Sequence, residues 1–167
     1  MRRAVSYVFC ASLLLALSAL PAAAQKGNLV VGFSAYSAAF MPAFVADRAG
    51  YFSQEGLSIK LIFFQSGVQL AQSLISGDTH IGMGSAPELI TAVNAGVKMR
   101  YLDRKAIDRF PGNGFLALEE TIKTRGKELV GLGRAYAKGT VFTLNNPEAA
   151  VRIVYEIFPQ TKPTGKD

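Results

Sequence analysis

Three short stretches place polar, mostly small residues where a β-type run gives way to a helical one: FSAYSAAFMP, FFQSGVQ and GMGSAPE, beginning at Phe33, Phe63 and Gly82. None holds a lysine or arginine, and each is uncharged until its helix begins. The amino-terminus of a helix presents unpaired N–H groups and a partial positive charge, which suits an anion or another strong acceptor. Two of the turns also have a plainer use. Ser66-Gly67-Val68-Gln69 and Ser85-Ala86-Pro87-Glu88 fit the capping box S/T-x-x-E/Q. A serine that caps its own helix contributes roughly 0.5–2 kcal/mol without any ligand. The first turn fits capping less well, because Pro42 sets the helix start several residues beyond Ser34 and Ser37. Tyr36 and Phe40 in that long turn are either the wall of a site or ordinary core packing; the residues alone leave both open.

Bond-making chemistry finds no support. His80 is the only histidine and has no cysteine or carboxylate at ligand spacing, so a structural role is expected. Ser34, Ser66 and Ser85 lack the elbow pattern G-x-S-x-G. No G-K-[ST] follows either glycine-bearing turn, which argues against a phosphate loop. Glu119-Glu120 reads as solvated charge. A non-enzymatic protein with no cofactor and no metal is expected.

The elements that must position these turns alternate from about 28 to 102. NLVVGF, LSIKLIFFQSG, HIGMG and KMRYL read as strands. PAFVADRAG, VQLAQSLISG and PELITAVNAG read as the helices between them, with Pro42 in the first turn of one and Gly50, Gly77 and Gly96 just past their ends. Val68, Leu70, Ala71, Leu74 and Ile75 are expected on one buried stripe. Strands separated by helices imply right-handed crossovers and a mostly parallel sheet. In such a sheet all strand-to-helix turns lie at the carboxyl edge, where open α/β sheets bind ligands. Beyond DRKAIDRFPGNG, a charged and turn-rich stretch, FLAL is a candidate strand. KELVGLGRAYAKGTVFTL has helical spacing through Leu129, Leu132, Ala135, Tyr136 and Phe142. Gly131, Gly133 and Gly139 weaken that helix by up to about 1 kcal/mol each relative to Ala. PEAAVRIVYEIF follows, with Asn146 as its expected cap and Pro147 at its first position.

Arg2 and Arg3, the apolar run Ala4–Leu20 and the A-x-A site before Gln25 have the order of a secretory signal peptide. Cleavage after Ala24 and a periplasmic location are expected. Losing Arg2 and Arg3 lowers the formal net charge from +6 to +4, and the only cysteine, Cys10, leaves with them. Disulfides and thiolate metal sites are then excluded. The remaining basic residues alternate with acids, as in DRKAIDR and KTRGKE, so no nucleic-acid partner is expected. A monomer is expected.

LVVGFSAYSAAFMPAFVADRAGYFSQEGLSIKLIFFQSG, followed by QLAQSLISGDTHIGMGSAPELITAVNAG, resembles the amino-terminal lobe of substrate-binding proteins of ABC importers. The branch is the nitrate/sulfonate/taurine and thiamine-pyrimidine one, the SsuA/THI5-like (NMT1) family. RAYAKGTVFTLNNPEAAVRIVYEIFPQTKP is similar to a later helical stretch of the same family. The resemblance implies an α/β fold: one lobe of a periplasmic-binding-protein-like type II architecture, with flanking helices and a C-terminal helical pair. It divides the chain into a leader (1–24), an α/β lobe (25–102), a connecting segment at an apparent deletion of the second lobe (103–115) and a helical segment (116–167). It implies that Ser34, Ala35, Tyr36, Ser37, Gln65, Ser66, Gly67, Gly84, Ser85 and Ala86 line one wall of a ligand cleft. The implied partners are a small anionic or polar organic solute (a sulfonate, nitrate-like or pyrimidine-type molecule) and an ABC permease in the inner membrane. Two alternatives stand beside this. One is a shortened, non-transporting paralogue or deletion product. The other, less favoured, is an enzyme like the fungal thiamine-pyrimidine synthases, whose cysteine-rich motif is missing after residue 24.

Overall fold

A computed structural model describes residues 27–102 and 113–163. The expected leader and most of the connecting segment 103–115 lie outside the described residues.

Five strands form one sheet: β1 (Gly27–Phe33), β2 (Leu57–Phe63), β3 (Ile81–Gly84), β4 (Met99–Tyr101) and β5 (Gly114–Leu118). Their order is β2-β1-β3-β5-β4. β1 pairs in parallel with β2 and β3, while β5 runs antiparallel to both β3 and β4. Four strands therefore point one way, as the alternation of strand and helix requires, and the sheet is mixed because β5 reverses. The FLAL run is this reversed strand, and it lies between β3 and β4. β4 ends and β5 begins at the same edge, so the chain leaves the sheet after Tyr101 and re-enters it at Gly114 at the edge that carries the three turns.

Helices cover both faces. On one face lie α1 (Met41–Arg48), the short α2 (Tyr51–Gln54), α6 (Gly126–Asn145) and α7 (Pro147–Ile157). On the other lie α3 (Gly67–Ser76) and α4 (Ala86–Asn94). A short helix α5 (Glu119–Thr124) links β5 to α6. Strand alternation sorts the core between the faces. Leu29, Val31, Phe33, Ile81 and Met83 turn toward α1 and α6, where they meet Phe40, Phe44, Leu132 and Ala135. Leu70, Leu74, Ala92, Met99 and Leu116 form the second cluster under α3 and α4.

The buried stripe of α3 is narrower than expected. Leu70, Ala71 and Leu74 are buried, whereas Val68 is 61% and Ile75 47% exposed. At about 100° per residue, these two lie together on one side of the arc that faces the sheet, beyond Ala71. The arc sits close because glycines lie beneath it: a Cβ on Gly32 would stand 2.5 Å from Leu70 Cδ1, and one on Gly82 2.9 Å from Leu74 Cδ1.

The glycines of α6 have a similar purpose. Gly131 and Gly139 are buried, and a Cβ on Gly139 would overlap the Pro42 carbonyl oxygen of α1. Close approach of α1 and α6 thus compensates the propensity that glycine sacrifices. An ion-pair cluster fastens the same helix to the turn after α2. Glu55 accepts from Arg134 Nε at 2.7 Å and Lys138 Nζ at 2.9 Å. The hydrogen bonds from Lys138 and then Arg134 hold the Glu55 carboxyl below its ordinary range. Asn146 departs from expectation: its side chain donates to the Phe142 carbonyl 3.2 Å away, closing α6 rather than capping α7. An amide has both a donor and an acceptor, and here the donor is used on the helix behind it.

Candidate functional site

The parallel strands bring the three turns to one edge. Phe33 and Phe63 end β1 and β2 in register, Met83, the penultimate residue of β3, pairs with Phe33, and the Phe64 N–H donates to the Phe33 carbonyl at 2.8 Å. Ser34–Ser37, Gln65–Gly67 and Gly84–Ala86 accordingly follow three neighbouring strands. The hydroxyls of Ser37, Ser66 and Ser85, however, are engaged within the protein.

In the first turn Ser37 is a cap after all. Its Oγ accepts from the Ala39 N–H at 3.2 Å and starts a 3-10 turn, Ala38–Phe40, that leads into α1. Pro42 marks the start of the α-helix but not of the first hydrogen-bonded turn, which is why its position misled. Phe40 is buried at 4% exposure and belongs to the core. Ser34 is half-buried, and Ala35 is exposed. Tyr36 remains 45% exposed but its ring is well occupied. It stacks on Phe63 with centroids 4.7 Å apart and planes 5° apart, and it leans on Phe158 at 4.9 Å and 56°. Phe158, at the end of α7, also meets Phe33 and Phe44 edge-on. No local signal in the sequence points to Phe158, since its partners come from the opposite end of the chain.

In the second turn Ser66 Oγ accepts from the Gln69 N–H at 3.3 Å, while Gln69 Oε1 accepts from the Gln65 N–H at 3.1 Å. The returning bond of the capping pattern thus reaches one residue farther back than Ser66. In the third turn Glu88 accepts on Oε2 both the Ser85 N–H at 3.0 Å and the Ser85 Oγ–H at 2.6 Å. A Cβ on Gly67 would lie 2.5 Å from Glu88 Oε1, and one on Gly84 3.9 Å from Oε2. The Glu88 carboxylate therefore sits between the second and third turns, against both. Its role as an occupant of the site is legible in the sequence only as the last letter of a capping box.

Three concavities border these residues. One of about 280 Å³ is lined by Phe40, Met83, Leu102, Gly114, Phe115 and Tyr136 among others. Tyr136 is fixed there by a 2.9 Å bond from its hydroxyl to the Ala39 carbonyl and by edge contact with Phe115 at 4.9 Å. Burial raises the Tyr136 phenol above its usual range. A second, of about 150 Å³, lies between Tyr36, Ser37, Met41, Tyr155 and Phe158. The third, of about 170 Å³, is bounded by Gly67, Val68, Pro87, Glu88 and Thr91. None of the three gathers all the turns into one enclosure.

His80 has a structural task. Its Nδ1 accepts the Val30 N–H at 2.9 Å while the His80 backbone N–H donates to the Val30 carbonyl at 3.0 Å. The ring thereby completes the pairing of β1 one residue before β3 begins. Burial, then the charge of Arg125, lowers its pKa below the ordinary histidine value. Among the described residues no three His, Cys, Asp or Glu side chains cluster as metal ligands. Among them, too, no helix is long and apolar enough to cross a membrane.

Comparison with known proteins is consistent with this architecture. The family model described as NMT1/THI5 like matches residues 37–104, a span that holds the second and third turns whole and the end of the first. In structure the chain is similar to the periplasmic aliphatic sulphonate binding protein SsuA from Escherichia coli. The two share 11% identity and a TM-score of 0.64 over 78% of each chain. It also matches a protein of Bordetella bronchiseptica RB50 at 19% identity and a TM-score of 0.42, over 46% of this chain and 24% of that one. No curated protein sequence matches.

Proposed function

Starting from a chain whose residues 37–104 match the NMT1/THI5-like family model, we propose that the protein binds a small polar organic solute at the carboxyl edge of its sheet. In this reading it is the solute-capturing component of an ABC import system, working in the periplasm with an inner-membrane permease. The observation that carries it is the delivery of three strand-to-helix turns, free of lysine and arginine, to one sheet edge by parallel β1, β2 and β3. Binding is an equilibrium in which backbone groups and serine hydroxyls orient the solute and no bond is made or broken. Ser34–Ser37, Gln65–Gly67 and Gly84–Ala86 form the contacting wall. The capped state of Ser37, Ser66 and Ser85 supports a wall held rigid before the solute arrives. Preorganisation of that kind lowers the cost of binding.

The test is a panel of small solutes, including sulfonates and aminopyrimidines, followed by thermal unfolding and by analysis of the solute afterwards. A true ligand at a hundred times its Kd stabilises by about 2.7 kcal/mol and is recovered unchanged. A solute that is consumed supports the enzyme reading instead. A second reading, a shortened paralogue without transport function, is favoured by one feature. Tyr36, the most exposed aromatic of the wall, already has Phe63 and Phe158 on its ring. Absence of any ligand across the panel, from a protein that melts cooperatively, supports that second reading.

A further inference from the structure

Glu88 deepens the proposed reading and rests on it. The second and third turns contain several donors that would suit an oxyanion, and the protein's own acceptors take four of them. Gln69 Oε1 takes the Gln65 N–H, Ser66 Oγ takes the Gln69 N–H, and Glu88 takes both the N–H and the hydroxyl proton of Ser85. The carboxylate of Glu88 lies against Gly67 on one side and Gly84 on the other, so that a side chain at position 67 would have to displace it. It borders an open concavity rather than the core. Among the described residues no lysine or arginine pairs with it.

We propose that Glu88 is a specificity-determining residue: its carboxylate fills the place between the α3 and α4 amino-termini where an oxyanion would dock. This wall then selects solutes that present a neutral or cationic N–H donor. An oxyanion arriving here meets like charge, and the Gln65, Gln69 and Ser85 donors are already spent. An amino or amidine nitrogen meets a carboxylate oxygen, Glu88 Oε1, together with the remaining lone pair of a Ser85 hydroxyl whose proton is already given away. Charge-assisted hydrogen bonds of that type are stronger than neutral ones.

The experiment titrates the whole protein and its Glu88→Gln variant by calorimetry with two probes, methanesulfonate and 4-aminopyrimidine. The unaltered protein is expected to prefer 4-aminopyrimidine by on the order of tenfold or more, and Glu88→Gln to reverse or erase that preference. The amide keeps the shape and an acceptor for the Ser85 N–H, and a melting curve verifies that the variant folds. If it does not fold, the preference of the unaltered protein still decides the matter. Preference of the unaltered protein for methanesulfonate, or an unchanged ratio in Glu88→Gln, overturns the role of Glu88 while solute binding stands. Binding of other panel solutes but neither probe likewise overturns this inference alone. No binding of any solute overturns both.

Discussion

Alanine substitution at two glycines of α6 should move stability in opposite directions. In an isolated helix Gly→Ala gains about 1 kcal/mol wherever it is made. At Gly133 a Cβ meets nothing within 4 Å, so Gly133→Ala should keep most of that gain, about 0.5–1 kcal/mol. At Gly139 the new Cβ would overlap the Pro42 carbonyl oxygen and stand 3.1 Å from the Pro42 carbonyl carbon and 3.2 Å from Ala46 Cβ. Two of those neighbours are backbone, which cannot rotate away, so α6 must retreat from α1 by roughly an ångström to restore contact distance. Overpacking against backbone lies at the upper end of the usual cost, about 2–3 kcal/mol. Net of propensity, Gly139→Ala should lose about 1–2 kcal/mol, which lowers the melting temperature by several degrees, at about 3 °C per kcal/mol. Urea unfolding followed by far-ultraviolet circular dichroism measures both, since the chain has no tryptophan. A Gly139→Ala variant as stable as the parent, or two variants shifted alike, would refute the account of the α1–α6 contact.

Further outcomes follow from single hydrogen bonds and one titration. Ser66→Ala and Ser85→Ala should each lower stability by about 1 kcal/mol through loss of the cap, read as a shift in urea midpoint; no shift for Ser66→Ala would mean that its hydroxyl is not engaged. Tyr136→Phe should cost about 1 kcal/mol, because the Ala39 carbonyl loses its partner. The folded protein holds His80 neutral, with its pKa lowered by burial and by Arg125, so the unfolded chain binds more protons in acid. Stability from this residue is present above about pH 6.5 and is lost as pH falls through the lower folded value. Urea midpoints measured between pH 7.5 and 5 should fall in the parent, and His80→Gln should remove the His80 share of that slope.

Much of the fold was legible because its signals are local. Alternating apolar runs, Pro42 and Pro147 at helix starts, and Gly50, Gly77 and Gly96 at positive φ past helix ends all act within a few residues of themselves. They determined the strands, the helices and the shared edge that receives the three turns. The capping patterns at Ser66 and Ser85 were legible for the same reason. What only tertiary structure decided involves partners distant in sequence. The reversal of β5 between β3 and β4 depends on where Gly114 re-enters the sheet, which no periodicity encodes. Gly139 weakens a helix when α6 is taken alone, and it is required once α1 lies against it. Tyr36 reads equally as site wall or core packing until Phe158 arrives from the far end of the chain. Glu88 reads as a helix cap until the fold sets Gly67 beside it. The sequence by itself determined which groups the edge carries. The tertiary structure decided which of them are already spoken for, because burial and charge at that edge are sums over segments that meet only when the sheet forms.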